Sequence, residues 1–507
     1  TLDGVDVNDQ QTGLNIDQTE AFTSVLRVTP DSIGEFRVTT TNPDATKGRS
    51  AGAQVSLITK SGTNRFRGNL FEYHRNTVTT ANDWFNNAAG IERPKLIRNL
   101  YGGSLGGPIV KDRLFFFYNY EGMREAKDVG VTQVVPLPSL GRGEINFLDN
   151  GGVLRTLTTA QINSLTVTGG SAAGNVVDVN PLAVQLFAAA AARYPSNIAG
   201  GDGLNTGGFR FNAPLPVKQN THTARFDWAV TRDQKHQVSL RANYQQDLFG
   251  RASAFPDTPP ADRWSHPLGL AATHTWLISN SITNRFSYGL TRLAYSNQGD
   301  SSQNAITFRD IFTPLNFTRT FSRVNPTSNF TDDLTWVKGS HTLQFGTNIR
   351  IIRNKRTSLT SAFDNGTTNF GFYPQSGGSV LTPINQYLAA TYGAGTAVGA
   401  GWLRSAQSSL VALLGRVNQY TANFIFDIAG KPVNGQPTVR EWATEEYDFY
   451  AQDSWKMRQS LTLNLGLRYG LSRPVYETQG FQAAPNIALD DYFARRIAAS
   501  AIGQNYD

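Results

Sequence analysis

Apolar and polar residues alternate one by one along several stretches of this chain. The clearest case is residues 461–471, in which every second residue from Leu461 is apolar or aromatic. Residues 221–230 and 237–244 show the same alternation on either side of a polar turn. Successive side chains of a β-strand point to opposite faces, so a period of two predicts strands with one apolar and one polar face. Runs of about ten residues suit strands that cross a membrane.

The connections between the predicted strands are of two kinds. Short polar turns are predicted at residues 110–113, 231–236, 279–280, 338–341 and 456–459. Long irregular stretches are predicted at residues 125–220, 247–266, 297–329, 357–368 and 429–440. Short turns at one rim and long loops at the other are typical of outer-membrane barrels, whose long loops lie outside the cell.

Two segments have helical character. Residues 181–192 begin with a proline at a first-turn position and are rich in Ala and Leu, and residues 405–414 end before Gly415. Both are interpreted as packing elements. The parity of the surrounding strands predicts that residues 405–414 lie in a periplasmic connection.

These patterns predict an all-β fold, a transmembrane antiparallel β-barrel. A soluble β-sandwich is the alternative, but its strands are usually about five or six residues long. A propeller would show a blade-like repeat of about 40 to 50 residues, and none is visible. About thirteen strands are predicted, and strand number sets barrel size. We expect the outer face to carry Leu461, Leu463, Leu465 and Leu467, and Arg468 to point inwards.

Composition narrows the function classes. The 507 residues include 17% charged residues and no cysteine, which excludes thiolate metal sites and a cysteine nucleophile. No apolar run reaches the roughly 18 residues of a transmembrane helix. The net charge of +7 is spread along the chain, so nucleic-acid binding is not predicted.

Several motifs resemble TonB-dependent outer-membrane transporters, and specifically their Oar-like branch. The plug-like segments are residues 2–5, which read Leu-Asp-Gly-Val, residues 30–38 and residues 42–67. The hairpin at residues 106–122 and the strand pair at 452–469 are similar to the barrel of the same branch.

The resemblance implies a plug inside a barrel of about 22 strands, as expected for a plugged transporter. Residues 1–64 would be the C-terminal part of the plug domain, and residues 65–507 the N-terminal part of the barrel. We expect a fragment that forms an open, curved sheet with two free edges and holds the plug segment within its curve. The implied partners are outer-membrane lipid, an unidentified solute and the inner-membrane TonB complex, which acts through a TonB box outside this sequence. A monomer without cofactor or metal is expected.

No residue set predicts an enzyme. Residues 102–106 fit G-x-S-x-G, but Gly107 and Pro108 follow where a nucleophile elbow needs a helix. The six histidines lack metal-ligand spacing, and His222 and His274 sit in apolar stripes that predict packing. Asp3, Asp6 and Asp9 are interpreted as part of a plug loop. The charged residues predicted to face the lumen, candidates for solute contact, are Arg225, Asp227, Arg241, Asp333, Arg350 and Arg468.

The predicted function is active uptake of a large or scarce solute into the periplasm. A passive porin and a surface protein for adhesion or export are the alternatives. The plug-like start argues against the porin, whereas long external loops suit transport and adhesion equally.

Overall fold

The computed structural model describes residues 1–10, 24–40, 44–46, 48, 53–82, 84, 87, 93, 95–165, 178–299, 301–314, 318–372, 381–483 and 485–506. Part of the plug-like stretch, residues 42–43, 47 and 49–52, therefore lies outside the described residues.

Strands form most of the regular structure. In chain order they are β1 Ile33–Thr39, β2 Gln54–Thr59, β3 Arg67–Asn76, β4 Leu96–Val110, β5 Leu114–Pro136, β6 Ile145–Leu148, β7 Leu154–Leu157, β8 Thr206–Pro214, β9 Val217–Ala229, β10 His236–Phe249, β11 Arg263–Ser265, β12 Leu268–Ser279, β13 Ile282–Asn297, β14 Ala305–Phe308, β15 Phe321–Lys338, β16 His341–Ser358, β17 Asn365–Thr368, β18 Gln419–Thr421, β19 Thr438–Arg458, β20 Leu461–Ser472 and β21 Tyr476–Glu477. The α-helices given by the described residues are α1 Pro138–Gly141, α2 Thr159–Asn163, α3 Pro181–Arg193, α4 Leu381–Tyr392, α5 Leu403–Leu413 and α6 Leu489–Ala501.

One large antiparallel sheet contains most of the strands. Its neighbours run in sequence order through β3, β4, β5, β9, β10, β12, β13, β15, β16, β19 and β20, with β11 continuing the position of β12. In the described part of the chain this sheet has fourteen strands, eleven along the path and β8, β11 and β21 beside it, in line with the expected number of about thirteen. Among the described residues, strands β3 and β20 are each paired on one side only. The sheet is therefore open with two free edges, as predicted.

The two faces of the sheet differ as the alternation predicts. On β20, Leu465 and Leu467 have 61% and 76% of their surface exposed. Arg468 points the other way, and its Nη1 donates to the carbonyl of Ala45 at 3.2 Å. We call the face that contacts the N-terminal residues the inner face, and the opposite one the outer face. The predicted outward leucines and inward arginine are confirmed.

Tryptophans cluster on the outer face near the short turns. Trp228, Trp276, Trp336 and Trp455 all lie in the last few residues of their strands at that end. His236 stacks on Trp276 and His341 on Trp455, each with 5.4 Å between ring centroids. Such a row matches the aromatic girdle of a membrane barrel, where amphipathic rings sit at the lipid headgroups.

The described N-terminal residues up to Gly62, here the N-terminal segment, lie against the inner face. Strands β1 and β2 pair within it, and a small apolar cluster contains Leu2, Val7 and Leu26. Its contacts reach strands from β5, through Thr29 to Asn119, to β20, through Ala45 to Arg468. One segment touches strands so far apart because the sheet curves around it, as expected from the sequence.

The long connections form a folded unit rather than separate loops. We call the described parts of residues 137–205, 250–262, 298–320 and 359–437 the loop assembly. Its core contains Phe187 of α3, Ile384 of α4, Leu410 of α5 and Phe255, all at most 1% exposed. The helix predicted at residues 181–192 is confirmed as α3, and both predicted helices are packing elements.

The predicted periplasmic position of residues 405–414 is wrong. Helix α5 shares its core with α3, which follows the far end of β5. Strands β16 and β19 are direct neighbours, so the chain between them returns to the rim that it left. That stretch forms α4, α5 and the short strands β17 and β18.

Carboxylates tie α5 into the loop assembly. Asp310 accepts from Arg404 Nη2 at 2.7 Å and from Ser408 Oγ at 3.0 Å, and the hydrogen bond from Arg404 is the main cause that holds the pKa of Asp310 below its usual value. Burial raises the pKa of Asp202, but hydrogen bonds from Ser405, Asn205 and the backbone outweigh it and lower that pKa. Both groups thus favour the ionised form.

Candidate functional site

The interface between the N-terminal segment and the inner face begins at a tight turn. Leu2 and Val5 exchange backbone hydrogen bonds of 2.9 and 3.1 Å. Asp3 and Gly4, between them, have φ of 49° and 87°. Asp and Gly tolerate this left-handed backbone better than other residues, which explains the Asp-Gly pair at the turn. The turn projects the Asp3 carboxylate toward the sheet.

Two arginines of the sheet converge on Asp3. Arg225 Nη1 of β9 lies 3.2 Å from Asp3 Oδ1, and Arg241 Nε of β10 lies 2.9 Å from Asp3 Oδ2. The Arg241 contact lacks the alignment of a hydrogen bond, so it is ionic. Arg225 also pairs with Asp227 at 2.8 Å. The Arg241 side chain is 2% exposed, which leaves it dependent on Asp3 for compensation.

Further polar contacts follow along the sheet. Arg27 Nη2 lies 2.6 Å from Asp247 Oδ1, and Arg323 Nη2 of β15 lies 2.8 Å from Asp9 Oδ2. Thr29 donates through Oγ1 to Asn119 Oδ1 at 2.6 Å. The N-terminal segment and the inner face each contribute both positive and negative groups to these ion pairs. The pairs therefore hold the segment in one position against the sheet.

Glycines of the sheet receive the few apolar side chains of the segment. A Cβ atom at Gly289 would lie 2.4 Å from Val5 Cγ1, and one at Gly269 would lie 2.4 Å from Leu26 Cδ1. Real Cβ atoms do not approach so closely, so a larger residue at either glycine would force the side chain of Val5 or Leu26 to shift. The packing of Val5 and Leu26 against these glycines fixes the position of the N-terminal segment along the direction of the strands.

A second charged group lies at β16, β19 and β20. Arg350 Nε lies 2.7 Å from Glu446 Oε2, and Arg350 Nη2 lies 2.9 Å from Asp448 Oδ2. Asp448 also pairs with Arg468 at 3.1 Å. Because Arg468 also contacts Ala45, this group reaches the N-terminal segment as well.

The six lumen-facing candidates thus fall into three places. The first holds Arg225, Asp227 and Arg241 around Asp3, and the second holds Arg350 and Arg468 around Asp448. Asp333 stands apart and accepts from the hydroxyl of Tyr450 at 2.6 Å. Contact of these residues with a solute stays a prediction.

Sequence reasoning missed several members of the interface. The sequence shows Asp3 and Asp9 as members of an acidic repeat, but it does not indicate which residues pair with them. Arg27 and Arg323 carried no signal, because a single charged residue within an alternating strand does not reveal what lies opposite. Contacts that join residues more than 200 positions apart, such as Arg27 with Asp247, depend on the curvature of the whole sheet.

The described residues offer no sign of enzyme chemistry. Ser104 lies within β4, and its hydroxyl donates to Asn69 at 2.5 Å, so the G-x-S-x-G pattern is part of a strand and not a nucleophile elbow. His222 lies against Tyr118, with 2.7 Å from its Nδ1 to the tyrosine hydroxyl, and His274 stacks on His236. Both histidines pack as predicted. No group of three or more His, Asp or Glu that would hold a metal is found within these residues.

Residues 58–496 match the family described as "Outer membrane beta barrel domain". The chain belongs to that family. It is a bacterial outer-membrane protein, and its outer face with the girdle tryptophans and exposed leucines is the lipid-facing surface. Within the described ranges, no helix has the length and apolarity needed to cross a membrane.

A curated relative and two solved structures are similar to parts of this chain. The TonB-dependent transporter Oar of Myxococcus xanthus is 30% identical over 125 residues, which is 24% of this chain and 11% of the relative. The outer-membrane transporter YddB of Escherichia coli has 13% identity and a TM-score of 0.48, covering 94% of this chain and 49% of its own. A ferric enterobactin receptor, PfeA, of Pseudomonas aeruginosa has 13% identity and a TM-score of 0.42, covering 89% and 46%.

The chain spans about half the length of these solved structures and a ninth of the curated relative. Both kinds of relative are described as transporters or receptors, not enzymes.

Proposed function

We propose that this chain is part of a TonB-dependent transporter that takes up an unidentified solute actively across the outer membrane. Residues 1–64 form the C-terminal part of its plug domain, and residues 65–507 form the N-terminal part of its barrel. The inner-membrane TonB complex moves the plug through a TonB box. The protein acts as a monomer, and Arg225, Asp227, Arg241, Asp333, Arg350 and Arg468 line the path opened by that movement.

The polar character of the interface carries the proposal. Asp3, Asp9, Arg27 and Thr29 meet the wall through ion pairs and hydrogen bonds, while the apolar cluster of the segment is small. A hydrogen bond exchanged for water costs only about 0.5–1.5 kcal/mol, because water replaces the partner. Such an interface opens under a pulling force more readily than one held by a large apolar core.

The test follows the burial of Thr29 in living cells. Thr29 is 1% exposed, and the chain has no cysteine of its own. In the full-length protein, Thr29→Cys should react with a membrane-impermeant maleimide when TonB is energised. Labelling should stop when the proton gradient is abolished or TonB is deleted. Asn8→Cys, at an exposed position, is the control that should label in all conditions.

A second variant fixes the segment to the wall. Thr29→Cys with Asn119→Cys replaces two side chains whose polar atoms are 2.6 Å apart. Oxidation should join the two cysteines, and reduction should restore movement. Removing the segment altogether should leave a barrel that inserts but leaks large antibiotics. Labelling of Thr29→Cys that is independent of TonB, or an intact permeability barrier after deletion, would refute gated transport in favour of a porin or an adhesin.

A further inference from the structure

Three arginines lie side by side on the inner face, at the end of the sheet that carries the loop assembly. Arg323 of β15 is the register partner of Arg356 of β16, and Arg356 is the register partner of Arg440 of β19. Opposed residues on neighbouring strands have Cβ atoms about 4.5–5.5 Å apart, and like charges at this spacing destabilise a sheet. This arginine row therefore calls for negative charge nearby.

Only one end of the row has such a partner among the described residues. Arg323 pairs with Asp9, and its side chain is 5% exposed. Arg356 lies over the ring of Phe321 at 4.6 Å, and Arg440 over the ring of Phe481 at 3.7 Å. Arg440 also donates to its neighbouring backbone carbonyl at 2.7 Å. In the described part of the chain, no carboxylate forms an ion pair with either of these two arginines.

Unpartnered amides surround the row. Asn325, two residues from Arg323 on the same face, is 3% exposed, and neither its Oδ1 nor its Nδ2 has a partner among the described residues. Asn354, two residues before Arg356, and Asn297 of β13 each hold a buried Oδ1 without a described partner. Buried polar atoms are nearly always hydrogen-bonded. Three such amides beside two cations that have no carboxylate partner among the described residues indicate a place for a polar, negatively charged group.

We propose that the arginine row binds an oxyanion, a carboxylate or phosphate group of the solute. The inference rests on the proposed transport function and specifies its substrate as an anion. The guanidinium fork of Arg matches both groups with two parallel hydrogen bonds. The rings of Phe321 and Phe481 hold the planes of Arg356 and Arg440 in place. The Nδ2 of Asn325 supplies a neutral donor to the same group.

The row also connects the solute to the N-terminal segment. Arg323 is both a neighbour of Arg356 and the partner of Asp9. An oxyanion at Arg356 gives Arg323 a second acceptor, which weakens its hold on Asp9. Binding of the anion therefore loosens one attachment of the segment before any force acts on it.

Calorimetry on the purified full-length protein tests the binding step. The probes are inorganic phosphate and citrate, each titrated at constant ionic strength in chloride. Arg356→Gln and Arg440→Gln should each weaken binding about tenfold or more, since each removes a charged hydrogen-bond donor. Lys355→Gln is the matched control. It removes the same charge one residue away, on the outer face, where Lys355 pairs with Glu441 at 3.0 Å.

The outcomes separate clearly. Binding of phosphate alone or citrate alone supports the proposal and identifies the group. Arg356→Lys, which keeps the charge but loses the fork, should bind with intermediate affinity and shows that the site tolerates substitution. Failure of both probes to bind the full-length protein overturns the proposal. So does a Lys355→Gln variant that weakens binding as much as Arg356→Gln.

A spin label tests the connection to Asp9. Asn8→Cys introduces one cysteine as the attachment point of the label, since the 507 residues contain no cysteine of their own. Added anion should increase the mobility of a nitroxide at this position in the otherwise native protein and not in Arg356→Gln. An unchanged spectrum at saturating anion overturns the connection. Neither measurement needs TonB or an energised membrane, so their failure is distinct from a failure of maleimide labelling in cells.

Discussion

Asp3 should be the single most important attachment of the N-terminal segment. Its carboxylate is shared by Arg225 and Arg241, and the Asp3 side chain is 12% exposed. Asp3→Asn keeps the shape of the side chain and removes its charge. Arg225 retains Asp227 at 2.8 Å, but Arg241, with a 2% exposed side chain, loses its ion pair.

The size of the effect follows from the burial of Arg241. Removing one partner of a buried ion pair costs about 3–5 kcal/mol, because the remaining charge stays uncompensated. The cost belongs at the lower end here, because Arg241 still donates to Asn243 Oδ1 and to the carbonyl of Leu2, and Arg225 is still paired with Asp227. We therefore expect a loss of about 3 kcal/mol, equivalent to a roughly hundredfold larger open population of the segment.

Hydrogen exchange measures this population directly. The amide of Ala45 in the segment donates to Gln452 Oε1 of β19 at 2.8 Å, so it is protected while the segment lies against the sheet. This amide should exchange roughly a hundredfold faster in Asp3→Asn, while amides of β15 and β16 stay unchanged. Adding Arg241→Gln should recover part of the loss, since it removes the unpaired charge. Exchange within about twofold of the native rate would refute the assigned role of the ion pair.

Three further outcomes are expected. Leu410→Ala, at a side chain 1% exposed, should destabilise the loop assembly by about 2–5 kcal/mol and raise its protease sensitivity without unfolding the sheet. The hydrogen bond from Arg404 lowers the pKa of Asp310 in the folded state, so ionised Asp310 stabilises the loop assembly at pH values above its unfolded-state pKa, and this stabilisation is lost as the pH falls through its folded-state pKa. Asp310→Asn should therefore make the protease sensitivity of the loop assembly less dependent on acid pH. Leu467→Arg, on the lipid face, should cost about 2–4 kcal/mol near the bilayer midplane and reduce assembly, seen as loss of heat-modifiable migration.

Local pattern was enough to predict the strictly alternating strands and the short turns that join them, but not the strand residues beyond them, such as the end of β5, β8 and the start of β15. The alternation from Leu461 to Leu471 indicates which side chains face lipid and which face the interior. A shift of the strand pairing by one residue would turn every apolar side chain inwards and every polar one towards lipid. Register therefore follows from the sequence wherever the two faces differ. The short turns are equally local, which is why the predicted hairpins at residues 231–236 and 338–341 match the ends of β9, β10, β15 and β16.

The loop assembly was not predictable in the same way. Its core brings together Phe187, Phe255 and Leu410 from three different connections. None of these connections carries the full apolar surface, so each appears irregular when considered alone. The wrong side assigned to residues 405–414 has the same origin. Strand parity assigns a side to a connection only when every strand before that connection is identified correctly.

The candidate site was predictable only on one side. Alternation placed Arg225, Arg241, Arg350 and Arg468 on the inner face, because charged residues do not face lipid. It gave no information about which part of the N-terminal segment lies opposite each one. Their partners depend on how the segment threads through the curve of the sheet, a long-range property that no local pattern encodes.

The loop assembly and the N-terminal segment, which both adjoin the sheet, are stabilised by different interactions. This difference explains how one part of the protein can stay in place while the other moves. The loop assembly is stabilised by the buried apolar side chains of Phe187, Ile384 and Leu410. Opening it would expose this apolar surface to water, which costs free energy that hydration does not return. The N-terminal segment is held mainly by groups such as Asp3, Asp9 and Arg27, which water can solvate once they separate. A force applied to the chain therefore shifts the segment first and leaves the loop assembly and sheet in place.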